Sequence, residues 1–157
     1  MTHLATYVGL LHHSEQALAD SLRTVGQGHA QEADVFHLCE TLARLSDDHI
    51  RSLAPIARRY GEKHSGEDIE EPERLYAEGI GTVREGAVGL LRDLQDLCLL
   101  ATLVQTSWTV VDQAAQGARD RELLKLAQQA SSHTSRQLTW LNTRMRAAAP
   151  QALLVAP

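Results

Sequence analysis

Sorted only into apolar and polar positions, the chain contains four long segments in which apolar residues recur at alternating spacings of three and four. That is the signature of one buried face on an α-helix. In the first segment, about residues 3–27, the line is Leu4, Val8, Leu11, Leu18, Leu22 and Val25, and the position that completes it between Leu11 and Leu18 is Glu15. The second, about 33–60, carries Val35, Leu38, Leu42, Leu45 and Ile56, with His49 on the same line. The third, about 86–116, aligns Ala87, Leu91, Leu94, Cys98, Ala101, Trp108 and Ala115, interrupted by Gln105 and Asp112. The fourth, about 121–148, has Leu123, Leu126, Ala130, Leu138 and Leu141, with His133, Gln137 and Trp140 sharing a face. Each line is broken by side chains that need hydrogen-bond partners once buried.

Punctuation agrees with the periodicity. Gly26 and Gly28 are expected to end the first helix, Asp34 to cap the second, Asp120 to cap the fourth and Pro150 to stop it. Residues 149–157 then read as a tail packed on the outside or as an interface strip. Residues 61–84 differ in character, with glycine, charge and Pro72 but no long apolar face. EPERLYAEG within them suits a short helix with Pro72 in its first turn, and the segment as a whole reads as a crossover. Its roughly twenty residues span about 60 Å when extended, more than a helix of twenty-five residues at about 1.5 Å each. The chain can therefore travel the length of the bundle and leave helices 2 and 3 parallel. The expected fold is all-α, a single-domain four-helix bundle over residues 1–157, made of two antiparallel hairpins joined by a long crossover.

This topology sets the heights of the polar residues. With the first turn centred near Ala30, Glu15 lies fifteen residues before it, and Ser46 and His49 lie sixteen and nineteen after it. At equal rise per residue those positions meet, so Glu15 is expected to face His49. With the second turn near Ala118, Gln105 lies thirteen residues before, and Ala130 and His133 lie twelve and fifteen after.

Composition narrows the function classes. Aromatic content is 4%, and Leu, Ala, Gln, Arg and Glu, all good helix formers, dominate. Net charge is -5 with no Lys/Arg block, which argues against a nucleic-acid partner. No run approaches the roughly 18 apolar residues of a membrane span, and the N-terminus lacks a signal-type pattern, so the expectation is a cytoplasmic protein without membrane association. Cys39 and Cys98 sit inside apolar patterns, without a CxxC, and read as core thiols. Trp108 and Trp140 read as core or dimer-interface anchors, and apolar residues outside the helical lines suggest a homodimer. His12, His13, His37 and His64 share no useful spacing and read as surface residues, with Asp47 and Asp48 as a solvated flank.

The arrangement resembles the ferritin-like superfamily, in which a four-helix bundle with a long connection between helices 2 and 3 carries a two-metal carboxylate site: one Glu from each of helices 1 and 3, and Glu-x-x-His from each of helices 2 and 4. Here Glu15 matches the first glutamate, and His49 and His133 match the two histidines, while Ser46, Gln105 and Ala130 stand where the remaining glutamates belong. The resemblance then implies a divergent member without an iron-storage role. It would bind at most one transition metal (Fe, Mn or Zn) through Glu15, His49 and His133, with Gln105 or water completing the shell. The same residues also admit a metal-free hydrogen-bonded layer that fixes helix register in a non-catalytic scaffold or interaction protein.

Overall fold

The computed structural model describes residues 3–63 and 78–157. Four helices account for most of them: α1 (His3–Gly28), α2 (Ala33–Lys63), α3 (Gly86–Ala118) and α4 (Arg121–Pro150), followed by one π-helical turn, Gln151–Val155. No strand occurs among the described residues. The short helix expected around Pro72 and the surface position of His64 lie outside the described residues. Residues 78–85 approach α3 without regular structure.

The helices stand in a square in which α1 packs on α2, α3 on α4, α1 on α3 and α2 on α4. The beginning of α3 lies beside the α1–α2 turn, where Asp93 reaches His29, while the end of α2 lies beside the α3–α4 turn, where Arg59 and Tyr60 bond to Asp120. Two helices that begin at the same end of a bundle run parallel, so α2 and α3 do.

Local chemistry explains the boundaries, with three departures from expectation. Asp34 does not cap α2; the helix begins one residue earlier and Asp34 lies in its first turn, where a carboxylate suits the helix dipole and takes an ion pair from Arg144 at 2.7 Å. Gly26 does not end α1 either. It lets α1 pack closely on α2, since a Cβ there would fall 2.9 Å from the Cβ of Cys39. Pro150 sits within the last turn of α4, and the chain widens beyond it into the π-helical turn, Ala156 N–H donating to the Gln151 carbonyl at 2.9 Å. Asp120 caps α4 as expected, accepting from Leu123 N–H at 3.1 Å, and Arg119 before it adopts φ 55° to reverse the chain.

The core line of α1 is the one the periodicity names, with Val8, Leu11, Leu18, Leu22 and Val25 all buried. In α3 the phase differs. The buried line is Leu90, Leu94, Leu97, Ala101, Val104, Trp108, Val111 and Ala115, and Leu91, Cys98, Gln105 and Asp112 lie to one side, half-buried. This helix is apolar around most of its circumference between residues 97 and 111, so periodicity alone did not select which stripe faces inward.

Candidate functional site

Four side chains from the four helices meet at mid-bundle. Glu15 on α1 is fully buried, and its Oε1 accepts from Trp108 Nε1–H on α3 at 2.8 Å. The same oxygen lies 3.1 Å from Nδ1 of His49 on α2. The other nitrogen of that ring, Nε2, lies 2.8 Å from Nδ1 of His133 on α4. The two imidazole planes are within 16° of each other with centroids 5.0 Å apart. With the nitrogens so close and the centroids so distant, the rings meet edge to edge and in plane, as a hydrogen bond requires.

The chemistry of the groups fixes the direction of these bonds. Ionised Glu15 only accepts, so both Trp108 and His49 Nδ1 donate to it. Neutral His49 then presents a lone pair at Nε2, which accepts from His133 Nδ1–H. His133, half-buried at the edge, is the end of the chain Trp108–Glu15–His49–His133 nearest solvent. Burial pushes the His133 pKa below the ordinary histidine value, and its neighbours His49 and Arg136 push the same way against the carboxylates of Asp48 and Glu15.

A second tier adjoins the first. Ser46, one turn before His49, and Gln137, one turn after His133, are both buried, and Gln137 Nε2 donates to Ser46 Oγ and to the Leu42 carbonyl, each at 2.9 Å. Ser46 therefore belongs to the polar layer as a hydrogen-bond partner of α4. Among the described residues two acceptor atoms, Glu15 Oε2 and Gln137 Oε1, are buried without a donor.

The structure therefore brings Glu15, His49 and His133 together, and leaves Gln105 apart, half-buried on the flank of α3 with Nε2 3.4 Å from Ser135 Oγ. For a shared ion the decisive point is the arrangement of the three. Glu15 and His133 lie against opposite edges of the His49 ring, so an ion bound to Nδ1 would have Glu15 beside it and one bound to Nε2 would have His133. No single ion reaches all three as they stand, and among the described residues no group of three or more His, Cys, Asp or Glu side chains is arranged to hold a metal.

Sequence reasoning missed Trp108 as the donor to Glu15, although an indole N–H in the middle of an otherwise aliphatic line was a signal. It also missed a second buried cluster at the end of the bundle. Asp93, fully buried on α3, accepts from His29 Nε2 at 2.8 Å and from Arg84, through its backbone N–H at 3.0 Å and its guanidinium at 2.8 Å. This cluster ties the end of the crossover and the α1–α2 turn to α3. Of the residues read as surface, His13 and His37 are exposed and His12 is half-buried. Asp47 is more than a flank, pairing with Arg23 at 2.6 Å while Glu40 pairs with the same guanidinium at 3.0 Å. Cys39 is buried, and burial raises its thiol to about 12, an inert core position.

Compared with protein-family models, curated proteins and solved structures, the chain matches none of them. No described helix is long and apolar enough to cross a membrane.

Proposed function

We propose that this protein is a non-catalytic helical interaction protein that self-associates as a homodimer, and that its Glu15–His49–His133 layer is a structural hydrogen-bond chain. The observation carrying this reading is His49, whose two ring nitrogens are both engaged, on opposite edges, by Glu15 and His133. A buried polar layer with directional partners penalises any sliding of one helix past another, because a shift of one turn strands a carboxylate, an indole N–H and an imidazole. No nucleic-acid partner is part of this reading, since the net charge is -5.

One observation favours a second reading, a divergent ferritin-like protein holding one Fe, Mn or Zn ion: Glu15 Oε2 is buried without a donor, the state of a carboxylate oxygen available to a cation. The ion would use Glu15 and His49, or His49 and His133, with Gln105 or water, after a rearrangement of the chain. Plasma mass spectrometry of untagged protein, before and after incubation with Fe(II) and Zn(II) and dialysis, separates the two. The structural reading expects well under one equivalent of metal per chain and no change with His49→Ala. Near one equivalent that is lost with His49→Ala overturns it in favour of the metal site.

A further inference from the structure

Residues 78–84 have no regular structure and make no backbone–backbone hydrogen bond with other described residues. Two of their amides are tethered instead to side chains on two different helices. Ile80 N–H donates to Ser21 Oγ on α1 at 2.8 Å, and Arg84 N–H donates to Asp93 Oδ2 on α3 at 3.0 Å. Both accepting residues are fully buried. Along this stretch the chain lies close on α1. A Cβ on Gly79 would fall 2.7 Å from Ser21 Oγ and 3.2 Å from the Ala17 carbonyl oxygen, and a Cβ on Gly28 would collide with the Val83 side chain. The segment is a strap that joins α1 to the first turns of α3.

Asp93 ties this strap to a third part of the fold. The oxygen that accepts from Arg84 N–H, Oδ2, also lies 2.8 Å from His29 Nε2 in the α1–α2 turn, and Oδ1 accepts from Arg84 Nη1 at 2.8 Å. The same guanidinium nitrogen donates to Asp96 Oδ2 at 2.8 Å. A carboxylate withdrawn from water is tolerated while its partners surround it and becomes costly once one of them leaves. Departure of Arg84 therefore requires water to reach Asp93, and that water competes for the oxygen that holds His29. We infer that residues 78–85 form a clasp that opens as one unit, ahead of the helices, and that its opening releases the α1–α2 turn from α3. The clasp opens first because a few bonds to side chains stand where a helix has a continuous ladder. It opens as a unit because a short segment tethered at both ends gains little conformational freedom until both tethers are cut. Whatever lifts residues 78–85 is thereby transmitted to the α1–α2 turn. This goes beyond the proposed function and is independent both of self-association and of whether the mid-bundle layer holds a metal.

Amide hydrogen exchange of the full chain, resolved by residue with NMR, tests it, each variant being read at bonds it does not touch. Ser21→Ala removes the acceptor of Ile80 and is read at Arg84. Arg84→Ala removes the guanidinium and is read at Ile80 and at Glu32, whose N–H donates to the His29 carbonyl at 2.9 Å within the turn. In the native chain Ile80, Arg84 and Glu32 are expected to share one protection factor, well below that of amides in the helix interiors. Ser21→Ala should lower protection at Arg84 by roughly fivefold, and Arg84→Ala should lower it at Ile80 and Glu32 together by roughly tenfold. Loss of protection only at the bond that was cut makes the tethers independent and overturns the clasp. Ile80 and Arg84 falling together while Glu32 holds overturns the link to the turn. Native protection at Ile80 and Arg84 equal to that of the slowest helix amides places their opening in global unfolding and overturns the clasp as a separate device.

Discussion

Replacing Glu15 by leucine is the perturbation for which the structure makes the sharpest statement. The carboxylate oxygen Oε1 is the acceptor for two donors, Trp108 Nε1–H at 2.8 Å and His49 Nδ1–H at 3.1 Å, and all three side chains are buried. Leucine fills similar space but accepts nothing, so both N–H groups are stranded away from water. Each stranded buried donor costs about 1–3 kcal/mol, and the pair about 2–6 kcal/mol, a large part of a typical domain's total of about 5–15 kcal/mol. Glutamine behaves differently. It keeps an acceptor oxygen where Oε1 stands, places its amide nitrogen where Oε2 has no partner, and removes a buried formal charge whose desolvation opposes folding. The Gln variant keeps the acceptor for Trp108 and His49 while stranding its own amide N–H groups, so it should lose less than leucine but more than nothing. Urea unfolding followed by far-UV ellipticity at neutral pH measures both, with equal m values confirming that the denatured states compare. A double-mutant cycle with Trp108→Phe completes the argument: the indole N–H already lacks its acceptor in the leucine background, so a coupling energy of about 1–2 kcal/mol is expected. A leucine variant within about 1 kcal/mol of the native protein, or a cycle without coupling, would refute the account of the layer as a structural hydrogen-bond chain.

Two further outcomes follow from the geometry. Asp120→Ala removes the acceptor of Leu123 N–H, Tyr60 Oη–H at 2.7 Å and Arg59 at 2.9 Å, so the start of α4 and the end of α2 should loosen together, at a cost of about 1–2 kcal/mol; hydrogen exchange confined to α4 would contradict the link. For His133 the sign is set by its depressed folded pKa: the unfolded chain takes the proton first, so stability is full above the ordinary histidine pKa and declines as pH falls through that value and on through the lower folded one. Melting temperatures from pH 8 to 5 should fall on the acid side, and His133→Gln should flatten part of that fall; an unchanged slope would show that His133 is not the group responsible.

The existence and approximate limits of the four helices were legible in the polarity pattern, because a 3.6-residue period sustained over about thirty residues has few other solutions. The height match of Glu15 and His49 was legible too, since two antiparallel helices joined by a short turn bring residues equidistant from that turn together. What the pattern could not decide was phase in α3. Between residues 97 and 111 apolar side chains occupy nearly every direction, so the choice of Leu97, Val104 and Val111 over Cys98, Gln105 and Asp112 as inward positions beside the expected Trp108 came from packing against α1 and α4. That choice moved Gln105 out of the polar layer and put an indole in its place.

By itself, then, the sequence determined the number of helices, their pairing into hairpins and the depth at which carboxylate and imidazole groups meet, all properties of local periodicity and chain length. Only the tertiary structure decided that Glu15 and His133 approach opposite edges of the His49 ring. Which edge of an imidazole a neighbour meets depends on side-chain rotamers and on the lateral offset between helices, and neither leaves a trace in residue spacing. The same holds for Asp93: its placement on α3 says nothing of His29 and Arg84, which reach it only because the crossover ends beside the α1–α2 turn.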